Sequence, residues 1–316
     1  MGCKMPSDRP TQVDNGKAFE FAIASAFSEQ LDSPIKAGRE LELSKRCFEK
    51  IELEKQKRFH RSAVTAVAHI LQLEDARFGL RPRVRIRFNN DREGQSGDVR
   101  DVLVEHSDIE LGVSCKTNHD AFKHSRLSSK IDFVKKWGLS SEGCSDAYWT
   151  RIRPVFGELA EIRSASESTA LWSRLERVPE RFYWPVLDAF ETELLRLTGH
   201  GADSAREVTR RLVAYLVGNQ DFYKVIDRSK NGSVEVLAFN FNGTLSVVKT
   251  RFPELVIGVD RLNGGQYSKT VRLSRGFTFN FRIHSASSRV EPSLKFDVTA
   301  VSLPPSEVYT SHLMLD

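Results

Sequence analysis

Cysteine is scarce in this 316-residue chain: Cys3, Cys47, Cys115 and Cys144 form no CxxC pair. That excludes a disulfide framework and a cysteine-built zinc module, and leaves reduced thiols in a cytoplasmic protein as the simple expectation. No apolar run approaches the ~20 residues that span a bilayer, and the N-terminus has no apolar secretion segment, so no membrane partner is expected. Met1-Gly2-Cys3 opens like a myristoylation signal, but Pro6 stands where that motif needs Ser or Thr. There is no GxxxxGK[ST] loop and no glycine-rich dinucleotide or S-adenosylmethionine loop, which argues against P-loop hydrolysis and against a DNA methyltransferase. Charge of neither sign dominates: 47 Lys and Arg face 42 Asp and Glu, a net of +5. That excess permits a polyanionic partner without requiring one.

What is present is ordinary globular material, 40% hydrophobic and 28% charged, long enough for two domains or one large one with appended elements. Phe19, Ile23, Phe27 and Leu31 recur every four residues and predict a helix over 16–31. Residues 39–77 read as further helix. A strand is expected at 84–88, then a polar loop at 89–97. Two more strands follow at 99–105 and 109–116, joined tightly through His106, Ser107 and Asp108. A helix is expected at 123–137, and 145–226 is helix-like. From Ser233 the chain turns to β-branched and aromatic runs (VEVLAF, TLSVVKT, LVIGV, FTFNFRI, LKFDVTAV) punctuated by Gly and Pro. Asn231-Gly232 and Asn242-Gly243 read as hairpin turns rather than glycosylation acceptors. The order predicts an α+β protein in three parts: helices and a core sheet at 1–140, a helical insert at 141–228, and a β-rich portion at 229–316.

The stretch GDVRDVLVEHSDIELGVSCKTNHD carries the chemistry. As an antiparallel hairpin it sends Val102, Val104, Leu111, Val113 and Cys115 to one face, suited to a core. The other face receives Asp101, Leu103, Glu105, Glu110, Gly112, Ser114 and Lys116. Closing the hairpin between Glu105 and Glu110 sets Asp101 opposite Ser114, one pair from Lys116. A carboxylate and an amine thus meet at the open end of a half-buried hairpin. Phosphodiester hydrolysis uses such a pair, the carboxylate to hold Mg²⁺ and the lysine to position or deprotonate water. The plainer reading is a weak surface ion pair on a solvated sheet face.

Glu20 bears on that choice. At 100° per residue it falls between Phe27 and Leu31, within the apolar arc of its helix. A carboxylate there is costly unless something ionic meets it. It is either a core carboxylate paired with an Arg or the second acid of a metal site at Asp101 and Lys116.

These residues carry a resemblance. Asp101 followed by Ser114-Cys115-Lys116 resembles the metal-binding core of the PD-(D/E)xK nuclease superfamily. SGDVRDVLV, then ELGVSCKTNHDAFKHSRLS and, late in the chain, FRIHSASSRVEPSLKFDV, look like the HaeIII family of type II restriction endonucleases over most of the length. The resemblance implies a nuclease core of mixed sheet flanked by helices, and Mg²⁺-dependent cleavage of double-stranded DNA by a homodimer at GGCC with blunt ends. It also implies a cognate DNA methyltransferase in the same system, with no direct contact. Asp101 takes the metal-binding Asp and Lys116 the Lys. Asp98, after Gly97 where the superfamily often has Pro, is the rival for the first role. The usual acidic residue two before the Lys is Ser114 here, so Glu20 or Asp120 is expected to supply the second metal-binding carboxylate.

Other signals have two readings each. Cys115, His119 and His124 have a metal-like spacing, but no fourth ligand is evident and Cys115 belongs to the core face. His119, Asp120, Lys123 and His124 are expected along the entrance to the cleft, in contact with DNA, or else simply begin a helix. Lys135, Lys136 and Trp137 suit a DNA backbone or a solvated helix. Arg282, His284, Ser287, Ser288 and Arg289 carry donors that guanine edges accept; Arg282, His284 and Ser288 are the chief candidates, against an ordinary surface. Two other functions compete with a restriction enzyme: a structure-directed repair or recombination nuclease on the same core, and a DNA-binding protein that has lost catalysis.

Overall fold

The first helix begins where the sequence supplies a cap. Thr11 Oγ1 accepts the Asp14 N–H at 3.1 Å, and Asp14 Oδ2 accepts the Thr11 N–H at 2.8 Å, a reciprocal capping box that starts α1 (Gln12–Leu31). In this computed structural model the described residues are 10–78, 83–89, 98–107, 109–117, 121–165, 170–262 and 267–315. They form two compact units, Met1–Asp120 with Gly218–Arg251 and Pro305–Asp316, and Ala121–Val217 with Phe252–Pro304. Each is discontinuous in sequence, whereas the three-part division read above is contiguous.

In the first unit α1 is followed by α2 (Arg39–Lys50), α3 (Leu53–Leu73) and the short α4 (Asp75–Phe78). Its expected apolar stripe is fully used: Phe19, Ile23, Phe27 and Leu31 are buried, and so are Ala18, Ala22, Ala24 and Ala26. The small residues let α2 and α3 pack close on α1 while β1–β3 meet it from the sheet. Those strands are β1 (Arg85–Phe88), β2 (Val102–His106) and β3 (Ile109–Thr117). β2 and β3 form the expected antiparallel hairpin, with Glu105 opposite Glu110 and Val102 opposite Val113. β3 then pairs in parallel with β5 (Phe222–Arg228), and the sheet continues antiparallel through β6 (Ser233–Phe239) to β11 (Tyr309–Met314). Residues 222–226, read as helix-like, are therefore strand. Gly232 takes φ +69° in the β5–β6 turn, as Asn231-Gly232 leads one to expect.

The stretch 244–250 is not the strand that its β-branched residues suggest. The buried Asn240 side chain holds it as a loop, donating from Nδ2 to the Leu245 and Val247 carbonyls at 3.1 and 2.8 Å and accepting the Leu245 N–H at 3.0 Å.

The second unit contains β4 (Ala121–Leu127), α5 (Phe133–Lys136), α6 (Asp146–Ala165), α7 (Trp184–Thr198) and α8 (Ala202–Val217). Its sheet is wholly antiparallel in the order β4-β10-β9-β8-β7, with β7 Val256–Arg261, β8 Ser268–Leu273, β9 Thr278–His284 and β10 Leu294–Ser302. The helix expected over 123–137 is thus corrected: its first part is β4, and only four residues are helical. Ser125 and Leu127 turn inward and Arg126 outward, a period of two that pairing with β10 rewards. Trp137 is no surface aromatic either. It is buried among Phe133, Phe190, Tyr215, Phe281 and Phe296, with ring centroids 4.8–6.4 Å away, while Lys135 and Lys136 remain exposed.

The chain is accordingly a mixed α+β protein whose sheets are flanked by helices. Among the described residues no helix is long and apolar enough to cross a membrane.

Candidate active site

Asp101 stands just before β2, at the open end of the hairpin. Its backbone is held on both sides: its N–H donates to the Val113 carbonyl at 2.8 Å, and its carbonyl accepts the Asn89 N–H at 2.9 Å. Its Oδ2 accepts three donors from β3, the Cys115 N–H at 2.7 Å, Ser114 Oγ at 3.3 Å and Lys116 Nζ at 3.3 Å. The β2 ladder has ended here, so the carboxylate takes an N–H that a longer β2 would have taken. Lys116 keeps 31% of its side chain exposed, so the pair faces an opening. Ser114 is buried and bonded to Asp101, as the register predicts.

Glu20 is 8% exposed on α1 and accepts a bond from Lys17 Nζ at 3.0 Å, one helical turn earlier. Lys17 also lies 3.8 Å from Glu40 on α2. Burial, and then the negative charge of Asp101, push the Glu20 carboxyl up to about 7, against the pull of Lys17 and Lys116. Lys116 responds in the opposite sense. Burial works against its charge, but Asp101, Cys115 and Glu20 outweigh it and hold the amine above the ordinary lysine range. Lys116 is therefore held as a cation beside Asp101. Burial pushes the Cys115 thiol well up, which makes it an inert core group.

Asp98 has a different setting. Arg100 grips it with Nε on Oδ1 and Nη2 on Oδ2, both at 2.8 Å, and reaches Glu110 with Nη1 at 2.6 Å. Burial opposes the Asp98 charge, but the bonds from Arg100 hold its carboxyl below the usual range. The Arg100 chain lies over Gly112: a Cβ on Gly112 would sit 2.0 Å from Arg100 Cδ. Arg87 adds bonds to Glu105 at 2.5 Å and Glu110 at 3.5 Å. The second face of the hairpin, read as a possible solvated face, is partly covered: Leu103 is fully buried and Arg100 and Arg87 link Asp98, Glu105 and Glu110, while Glu110 and Lys116 keep 39% and 31% of their side chains exposed.

Asp120 and His119 lie outside the described residues; Lys123 and His124 lie on β4, but their side chains do too. Arg282 and His284 sit on β9 and both meet Asp297 Oδ2, at 3.4 and 2.6 Å. Ser288 is exposed beyond β9, its carbonyl accepting the Trp172 N–H at 3.1 Å. The structure thus brings Asp101, Ser114, Lys116 and Glu20 into one electrostatic cluster in the first unit, with Asp98 set apart on Arg100. Lys17, Arg100 and Asp297 escaped the sequence reading. Lys17 had a signal, its place three residues before Glu20 on one helix face. Among the described residues no three His, Cys, Asp or Glu side chains gather to hold a metal ion. Asp101 and Glu20 offer a pair of hard oxygen donors. Mg²⁺ suits that poorer set, because it is commonly held by one or two carboxylates with water and phosphate oxygens completing the shell.

Comparison with known proteins gives two matches. Residues 16–304 match the model of the HaeIII restriction endonuclease family. The chain is also 31% identical over 310 residues to the type II restriction enzyme HaeIII of Haemophilus aegyptius, covering 92% of this chain and 94% of that protein. No solved structure matches significantly.

Proposed function

The chain belongs to the HaeIII restriction endonuclease family, and we propose that its hairpin end at Asp101, Ser114 and Lys116, with Glu20, is the site where it hydrolyses both strands of DNA with Mg²⁺. Membership makes it a type II site-specific deoxyribonuclease of a restriction–modification system. The finer reading is cleavage at GGCC leaving blunt ends, by a homodimer in the cytoplasm. A cognate methyltransferase then protects the same sequence.

The observation that carries the catalytic assignment is the placing of Lys116 Nζ and a buried second carboxylate around Asp101. Asp101 and Glu20 would hold Mg²⁺, with Asp120 as the further candidate. When bound, the ion supplies Lewis-acid stabilisation of phosphate charge and makes a water more acidic. Glu20 stands in for the acidic residue that a PD-(D/E)xK core would carry at Ser114, which supports a variant of that core. Ser114 instead steadies Asp101 through its hydroxyl. Lys116, held protonated, orients the attacking water and offsets the charge that grows on the phosphate. Arg282 and the strands around it read bases, with His284 and Ser288 beside it.

Incubating the purified protein with phage DNA and Mg²⁺, then sequencing the ends of the fragments, tests this reading. Discrete fragments ending within GGCC, cut flush, are expected. Cleavage only at branches or flaps, irrespective of sequence, would replace it with a structure-directed nuclease, and intact DNA that is nevertheless bound would leave a catalytically inactive binder.

A further inference from the structure

The second unit's sheet has two unlike faces. Phe279, Phe281, Ile283, Phe296 and Val298 point into the aromatic core. On the other face the strand registers line up polar side chains in rows. Ser268 stands opposite Arg282 and Arg282 opposite Asp297; Thr270 stands opposite Asn280, and His284 opposite Lys295. Residues directly opposite in antiparallel strands share a face, so these groups are neighbours.

Two observations separate this face from a solvated one. Asp297 Oδ2 holds both His284 Nε2, at 2.6 Å, and Arg282 Nη2, at 3.4 Å. The other ring nitrogen of His284 meets the Ser285 carbonyl at 2.7 Å, so both its nitrogens are committed within the protein. Arg282 engages through one nitrogen and keeps 44% of its side chain exposed. Beside this brace, Ser268 Oγ, Thr270 Oγ1 and Asn280 Oδ1 are buried atoms with no hydrogen-bond partner. Ser268 is 0% and Thr270 9% exposed, so bulk water does not account for them. Buried polar groups are nearly always partnered, and a cluster of three exceptions on one face marks a place where a polar partner belongs.

We propose, resting on the reading of this protein as a sequence-specific endonuclease, that this face receives base-pair edges of duplex DNA, with Asp297 as the positioning residue for Arg282. A guanidinium discriminates guanine only when its fork is aligned with O6 and N7 together. A carboxylate behind it, itself locked by His284, sets that plane before DNA arrives. His284 on this account is part of the brace and not a base contact. Ser268 stands directly opposite Arg282, and Thr270 and Asn280 form the next pair along the same face, so a polar partner that arrives beside Arg282 comes within one residue pair of their unpartnered oxygens. The occupant is double-stranded DNA because the exposed group of this face, Arg282, is cationic and carried on a strand, a form in which proteins enter the major groove.

The test measures binding of the full-length protein to three duplexes in Ca²⁺: the cleavage site mapped from fragment ends, that site with one base pair changed, and a random sequence. Asp297→Asn, Arg282→Ala and Thr270→Val are compared with wild type, with melting curves for each. We expect Arg282→Ala and Asp297→Asn each to lower discrimination against the altered site about ten- to hundredfold. Affinity for random duplex should stay within about twofold. If Arg282→Ala leaves discrimination unchanged, this sheet does not read bases and the specificity assignment itself fails. If Arg282→Ala lowers it but a folded Asp297→Asn does not, the positioning role alone is overturned. Should Asp297→Asn fail to fold, His284→Ala and Thr270→Val decide: unaltered discrimination in both contradicts the proposal.

Discussion

Lys116 Nζ lies 3.3 Å from the same Asp101 oxygen that accepts the Cys115 backbone N–H at 2.7 Å. One carboxylate oxygen thereby fixes the strand end and the ammonium at once. The arrangement follows from where β2 stops: one more ladder residue would have taken the Cys115 N–H and turned Asp101 elsewhere.

Metal dependence is the first consequence. On the proposed reading Asp101 and Glu20 would hold a cation whose shell water and phosphate complete. Cleavage should vanish in EDTA and return with Mg²⁺ or Mn²⁺. Ca²⁺, with its longer and looser coordination, should support binding but little cutting. Full activity in chelator would contradict the assignment.

Glu20 gives a prediction in pH. A carboxyl raised on folding from 4.5 to about 7 binds more protons in the native state than in the unfolded chain. Metal-free protein should therefore be least penalised below 4.5 and lose stability as pH rises toward 7. Glu20→Gln cannot ionise, so melting temperatures in EDTA at pH 5 and pH 8 should differ less for the variant than for wild type. In Mg²⁺ the same variant should cut slower by orders of magnitude. A variant that melts early yet cuts at the wild-type rate would make Glu20 a core carboxylate serving only Lys17.

Asp98 and Asp101 separate by the property each affects. Asp98 is gripped by Arg100, whose side chain needs Gly112 to have no Cβ. Gly112→Ala should cost about 1–3 kcal/mol, the usual range for overpacking, by displacing that guanidinium. Asp98→Asn should likewise lower the melting temperature, while Asp101→Asn should lower the rate with little effect on melting. The opposite assignment of effects would make Asp98 the metal-binding residue.

Much of this site was legible in the sequence because its determinants are local. A period-two alternation and a tight connection set the β2–β3 register, and the register set Asp101 against Ser114 and Lys116. Glu20 was visible as a charge inside an apolar stripe. Arg100 was not, since nothing in the order of residues says that its side chain lies across Gly112. The stretch 123–137 was misread because its strand character depends on β10, some 170 residues later, while the Asn240 loop was hidden by β-branched residues whose backbone a distant side chain holds. Asp297 was passed over as one polar position in an alternating strand, its meaning supplied only by Arg282 and His284 on the neighbouring strand.

The most direct test of the account is Lys116→Ala, assayed for cleavage in Mg²⁺ and for binding of a target duplex in Ca²⁺. Lys116 is held as a cation against Asp101; in the proposed mechanism it is used mainly as charge develops during the reaction, so its loss should fall on rate rather than on ground-state affinity. The variant should show no detectable cutting yet retard the duplex as wild type does, and Lys116→Arg should restore little, because a planar fork does not reproduce a compact point charge. A folded Lys116→Ala protein that cuts at near wild-type rate would contradict the account.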